Sequence, residues 1–405
     1  MLGAIARSYR DAFSGLPRQV WVLSAVLFVN RLGMMVLPFL ELYLAEERGL
    51  AVDVAGRLVA LYGVGSILGV TIGGHLTDRY GPRRVQLASL IGQALSLMTL
   101  GLVRRTELIA LSIVATSLSS DSFRPANASA ISAAVGPESR ARAFSLMSLA
   151  VSVGLTIGMP VGGMLADIDY RWLFPIDAGT SLLAALVLWS FGSRAPCAVP
   201  HEETPRTAVP SPWRDPLFLS VVLLQCATAT VLFQFFGALP VFLKEDLGFE
   251  ESGVGRALAV NSVLIVLFEM QVIRRVEHRS ALPFVGLGAL LIGLGYGVNA
   301  LAGGASVALL SIVLWTCGEF FFFPLGAAFA SRRAPANAVG RYMSVYHLGF
   351  AVPMILAPLL GTALYEHQGP RTLWASCALV GVLVFVAYLV LQRRMDAATA
   401  RAESR

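Results

Sequence analysis

Asp121 and Arg124 stand three residues apart in a stretch, 107–133, whose interior carries no other charge. At that spacing two side chains share one face of a helix and can neutralise each other. Glu319 lies in a second apolar stretch, 305–330, with no basic neighbour near it in sequence, and Glu269 lies near the end of a third, 251–273. Arg31 falls in the middle of 19–45, with Glu41 toward the far end of the same stretch. Ionisable groups in apolar surroundings are costly and mark sites of function. A carboxyl there can take up and release a proton when its access to water changes, which is the chemistry that ion coupling requires. Asp121, Glu319 and then Glu269 are the candidate proton carriers, and an Asp121–Arg124 ion pair is the competing static role.

The elements that must position these groups follow from composition. The chain has 405 residues, 56% hydrophobic and 14% charged, and a mean hydropathy of +0.70. That lies outside the range of soluble domains. Twelve apolar spans, from 19–45 to 371–391, each have about the length that a ~30 Å hydrocarbon core demands of a helix. The breaks between them are short and hold Gly, Pro and charged residues, so successive helices run antiparallel and leave no room for a soluble domain. The fold class is an all-α membrane protein of twelve transmembrane helices.

Lys and Arg orient such a chain, because they concentrate in the loops on the cytoplasmic side. With the N-terminus inside, 21 of the 31 basic residues fall in cytoplasmic segments. The net charge of +6 therefore reports topology, both termini being cytoplasmic, and no basic surface offers itself to nucleic acid. Cys197, Cys226, Cys317 and Cys377 are scattered and imply neither disulfides nor a metal, and no cofactor is implied.

Shifting the chain against itself by 199 residues pairs Gly49 with Gly248, Asp78 with Glu277, Pro125 with Pro324, Arg142 with Arg341 and Gly162 with Gly361. A constant offset through four helices marks an internal repeat. Two six-helix bundles, 1–192 and 215–405, then enter the membrane from the same side and are related by a parallel pseudo-twofold axis. The segment 193–214, with five prolines and several charges, has the composition of a cytoplasmic linker.

The loop after the second span reads GGHLTDRYGPRR, residues 73–84. It resembles the loop between helices two and three of the major facilitator superfamily, which runs roughly GxLxDRxGRR. Gly74, Leu76, Asp78, Arg79, Gly81 and Arg83 are in register and Pro82 departs from it. The similarity covers the whole chain and points to the twelve-helix drug:proton antiporter group. It implies that Asp78 faces the start of helix eleven near Arg341, a latch holding the two bundles, with Gly74 allowing close approach of a second helix and Gly81 a tight turn. In helix five, VSVGLTIGMPVGGML keeps Pro160 and Gly163 of the antiporters' Gly-Pro-x-x-Gly motif, with Met159 in place of its glycine. Gly154, Gly158 and Gly162 add the spacing for tight packing, expected against helix eight. The superfamily's helix-four arginine position falls on Ser117, so its usual relay does not carry over; Arg124-Pro125 resembles a variant found among multidrug exporters.

Around the presumed cavity stand Phe233 and Phe236 of helix seven and Phe320 of helix ten, with Asn30, Gln225, Gln234, Asn261 and Tyr346 as hydrogen-bonding groups and Arg31 and Arg124 as charges. An apolar pocket with a few acids suits lipophilic, often cationic compounds. The expected function is proton-coupled multidrug export by alternating access. The partners are a small-molecule substrate, protons and the lipid bilayer of a bacterial inner membrane, and a monomer suffices. The alternative is an importer or facilitator of a sugar, peptide or organic anion, in which the arginines bind the anion. No protease motif supports an intramembrane enzyme.

Overall fold

The computed structural model describes residues 13, 15–135, 140–192, 211–276, 279–301, 304–335 and 339–403. Among them there is no strand. The helices are α1 (Arg18–Leu32), α2 (Val36–Glu46), α3 (Val52–Tyr80), α4 (Pro82–Leu102), α5 (Thr106–Ala134), α6 (Arg140–Ile168) and α7 (Leu173–Phe191). There follow α8 (Pro216–Leu232), α9 (Ala238–Glu245), α10 (Glu251–Val276), α11 (Ala281–Val298), α12 (Gly304–Arg333), α13 (Val339–Ala351), α14 (Pro353–Gln368) and α15 (Pro370–Glu403). Eleven of the segments so formed among the described residues are long and apolar enough to cross a membrane, α1 with α2 counting as one. The twelfth expected span, α5, is as long as its neighbours at 29 residues but is too polar to stand out by composition. Its Ser112, Thr116, Ser117, Ser120 and Asp121 are all buried, so the polarity faces protein and not lipid. Outward-facing surface is apolar instead: Leu95, Leu102 and Leu223 are 65%, 75% and 70% exposed.

Three expected spans are interrupted. The first breaks at 33–35, between α1 and α2, and the seventh at the 3-10 turn Phe233–Phe236 and Gly237, between α8 and α9. These positions correspond under the 199-residue offset, and α4 and α11 begin at matching places, Pro82 and Ala281. The eleventh breaks before Pro353, which supplies no N–H to the preceding turn.

By contacts the chain divides into two compact units. One comprises Met1–Leu40, Leu61–Glu202 and Glu251–Ser262, the other Glu41–Ala60, Glu203–Glu250 and Val263–Arg405. The α2–α3 hairpin end, 41–60, belongs to the second unit and the start of α10, 251–262, to the first. In the first unit α4 packs on α5 and α7, and α1 on α6 and α7. In the second, α11 packs on α12 and α15 in the same relation. Of the expected linker, 193–210 lies outside the described residues.

Glycines set the closest approaches, and two expectations about them need correction. Gly154, Gly158 and Gly162 face α1, the break and the start of α2, and not helix eight: added methyls would meet Arg31 Cβ at 2.8 Å, the Leu32 carbonyl oxygen at 2.5 Å and Met35 Cβ at 2.7 Å. Only Gly163, one residue on and therefore about 100° around the helix, meets α10, at Ser252 Cα and the Glu251 carbonyl. Pro160 lies inside α6 and is half-buried. Gly74, expected to admit a neighbouring backbone, has nothing within 4 Å among the described residues. Gly73 does that work, since a methyl there would lie 2.6 Å from Ser122 Cα of α5. We expect Gly73→Ala to lower stability by about 1–3 kcal/mol through overpacking, and Gly74→Ala to be neutral or slightly stabilising through helix propensity. Thermal denaturation of the two variants in detergent checks this; equal losses would contradict it. Gly81, with φ of 82°, makes the tight turn expected of it.

Candidate functional site

The break in the first span exposes helix ends inside the first unit. α2 begins at Val36 with its leading N–H groups unpaired within the helix, as at any helix N-terminus. Asp177 of α7 accepts hydrogen bonds from the backbone N–H groups of Met35 and Val36. Its own exposure is 3%, and its Oδ1 has no hydrogen-bond partner among the described residues. Gly33 makes the approach possible: a methyl there would lie 3.1 Å from Asp177 Oδ1 and would overlap Thr180.

Arg31, at the end of α1, carries the compensating charge. Its Nη1 donates to Met34 Sδ at 2.8 Å, its Nε is buried and unpartnered among the described residues, and Asp121, Arg124 and Asp177 all lie within electrostatic reach. Asp121 and Arg124 form the expected ion pair at 3.6 Å, with the Arg124 side chain 58% exposed and that of Asp121 11% exposed. Tyr62 of α3 is hydrogen-bonded to Ser120, next to Asp121. Tyr62, Ser120, Asp177, Gln93, Thr116 and Met34 line a small cavity together with Leu37, Leu40, Leu97 and Leu100. The first unit thus places Asp177 on a small, mostly apolar cavity, with Asp121 and the guanidiniums of Arg31 and Arg124 close by. Asn30 braces it, donating to Gln93 Oε1 at 3.2 Å and Ser181 Oγ at 3.3 Å.

Asp177, Tyr62 and Gln93 were not singled out from the sequence. Asp177 carries the signal that marked the others, a carboxyl in an apolar span, but its place five residues after Trp172 looks interfacial until the break in the first span is seen.

The remaining expected residues belong to the second unit or lie elsewhere. Glu319 is half-buried in α12 within electrostatic reach of Tyr296. That phenol donates to the Leu232 carbonyl at 2.8 Å and stacks on Trp315 and Trp374. Glu269 is half-buried near the end of its span and has no hydrogen bond or ion pair among the described residues. Gln225 donates to the Tyr346 carbonyl at 3.0 Å and Gln234 to the Ala357 carbonyl at 3.0 Å; the Oε1 of each is buried without a partner among the described residues. Phe233 and Phe236 form an aromatic group with Phe235, their centroids 5.9 Å apart. Phe320 and Tyr346 are 5% and 3% exposed, and Tyr346 packs in a core with Phe218, Tyr342 and Val345. Asn261 is buried.

In the same unit Asp215 caps α8 through the Phe218 N–H at 3.1 Å and takes a two-point contact from Arg333, at 2.8 and 3.2 Å. Burial acts to raise its carboxyl, but the Arg333 guanidinium and the Phe218 N–H outweigh it and hold the group below the usual carboxylate range. Of the expected latch, the side chains of Asp78 and Arg341 lie outside the described residues. Arg79 lies 5.3 Å from the Tyr80 ring centroid, and Arg83 donates to the Trp189 carbonyl at 3.0 Å.

A family model for the Major Facilitator Superfamily matches residues 23–354 and 321–405. Multidrug resistance protein MdtH of Escherichia coli is 24% identical over 368 residues, 87% of this chain and 88% of that protein. A Na(+), Li(+), K(+)/H(+) antiporter of Planococcus maritimus is 24% identical over 367 residues, 82% and 86% of the two chains. Among solved structures, the peptide transporter POT superposes with a TM-score of 0.81 at 16% identity, covering 94% of this chain and 96% of that one. The nucleoside transporter NupG gives 0.78 at 13%, covering 92% and 100%. These two share the fold. The chain is a multi-pass integral membrane protein and belongs to the Major Facilitator Superfamily.

Proposed function

We propose that this protein exports lipophilic, cationic small molecules by alternating access, each cycle drawing protons inward across a bacterial cytoplasmic membrane, with both termini on the cytoplasmic side. The observation that carries this reading is that Asp121 and Asp177 both lie within electrostatic reach of the buried Arg31, with Asp177 lining the cavity. One carboxyl is neutralised by a partly exposed arginine, and the other is buried with an oxygen unpartnered among the described residues. Such a pair can hold a proton in one state and release it in another, because Asp177 has Arg31 as its compensating charge, which Asp121 also reaches, while Asp121 has Arg124 as well. Glu319 and Glu269 are the corresponding candidates of the second unit. Phe233, Phe236 and Phe320, with Gln225, Gln234, Asn261 and Tyr346, supply apolar and hydrogen-bonding groups for the substrate. Asp78, Arg79, Gly81 and Arg83, with Arg341, are the proposed cytoplasmic latch. A monomer suffices for the cycle.

Relatives named for multidrug resistance and for cation/proton antiport support this direction. The second reading, uptake of an anionic or peptide-like solute, is favoured by the buried Arg31 Nε and by the fold shared with a peptide transporter. Reconstitution in vesicles separates them. An imposed pH difference drives accumulation of a cationic dye if the first reading holds, and of an anionic metabolite if the second does.

A further inference from the structure

Glu41 plays no part in the site above. It belongs to the second unit, with an exposure of 0%, and it sits among Leu40, Leu42, Tyr43 and Leu44, none more than 2% exposed. Neither carboxylate oxygen has a hydrogen-bond partner among the described residues. The side chain lies against the break between α8 and α9: a methyl at Gly237 would stand 3.4 Å from Glu41 Oε2 and 3.5 Å from Pro358 Cα. The carboxyl thus packs close to the break and to Pro358 of α14.

An ionised carboxylate in such a shell costs several kcal/mol unless a proton or a cation accompanies it. Toward the end of α9 lies a set of groups fit to exchange that proton with water. Glu245 is exposed and within electrostatic reach of Glu41. The Tyr365 hydroxyl donates toward Glu245 Oε2 at 3.5 Å and also bonds Asp246, while Lys244 pairs with Glu46. Burial first, then the negative charges of Asp246 and Glu46, push Glu245 above the usual carboxylate range, which makes it a better proton acceptor than an isolated surface acid. Gln234, whose Oε1 is unpartnered among the described residues, lies in the turn of the break itself, and Glu366 on α14 is engaged by the Asp53 N–H.

We propose that Glu41 is a proton-binding site loaded from the outer face through Glu245, with Tyr365 and Asp246 orienting that acceptor. Loading moves a proton from outer water to the Glu245 carboxylate and then from the Glu245 O–H to the Glu41 carboxylate, leaving Glu245 ionised again and Glu41 neutral. This site rests on the export reading for its part in coupling and for which face is outer, but not for its proton.

The full-length protein in lipid vesicles provides the test, by infrared difference spectroscopy across a pH titration and by dye transport with and without a pH difference. Glu41→Gln removes one protonated-carboxyl band and cuts gradient-driven transport at least about tenfold, while downhill dye movement persists. A band that survives the substitution overturns the site, and a lost band with undiminished gradient-driven transport overturns its role in coupling. If the unaltered protein ignores the gradient, the export reading fails and the band alone judges Glu41. Should Glu41→Gln not assemble, Glu245→Gln at its exposed position slows proton uptake from the outer side after a pH jump about tenfold; an unchanged rate overturns the proposal.

Discussion

Asp177→Asn should leave the protein folded and abolish its gradient-driven transport, whereas Asp177→Ala should also destabilise it. The asparagine keeps a carbonyl oxygen to accept the Met35 and Val36 N–H groups at the start of α2 and gives up only the ionisable function. The alanine removes the acceptor and strands two buried donors, at about 1–3 kcal/mol each. Arg31 in addition loses one of the two carboxylates within its reach. Thermal denaturation separates the variants, and vesicle transport should find both inactive under a pH difference. Full gradient-driven transport in Asp177→Asn would remove Asp177 from the coupling machinery and return the role in the first unit to Asp121 alone.

The second large effect is structural. Gly158→Ala would press a methyl to 2.5 Å from the Leu32 carbonyl oxygen and 3.2 Å from that of Arg31. Both are backbone atoms at the end of α1, directly before the break, and neither can rotate aside as a side chain would. Overpacking of this kind costs about 1–3 kcal/mol. Relief by sliding α1 would carry Arg31 away from Asp121 and Asp177, so transport should fall along with stability. Gly179→Ala is the control, since nothing lies within 4 Å of that position. Similar denaturation midpoints for the two variants would show that α6 and α1 are less closely held than the structure places them.

The spans, the repeat and the loop after the second span are legible because hydropathy, a constant offset and glycine chemistry leave marks in sequence. The Asp121–Arg124 pair is legible too, since three residues on a helix bring side chains together wherever the helix goes. What sequence does not carry is which faces meet. The small-residue stripe 154–162 announces close packing, but only the bundle decides that its partner is α1, while Gly163 turns to α10. The break at 33–35 leaves a trace in Gly33 and in Pro38, which has no N–H to bond back to residue 34, but that Asp177 caps the helix that follows is not written there. Asp177 and Glu41 gain their meaning from that break and from its counterpart at 233–237, and both depend on contacts more than a hundred residues apart in sequence.

Proton coupling through membrane-depth carboxyls is the central claim, and vesicle transport with and without an imposed pH difference measures it most directly. The account predicts that a proton gradient drives a cationic dye uphill, and that neutralising Asp121 and Asp177 together abolishes the uphill movement while leaving downhill exchange. Uphill transport that persists in the doubly neutralised protein, or that never responds to the gradient in the unaltered one, would contradict it.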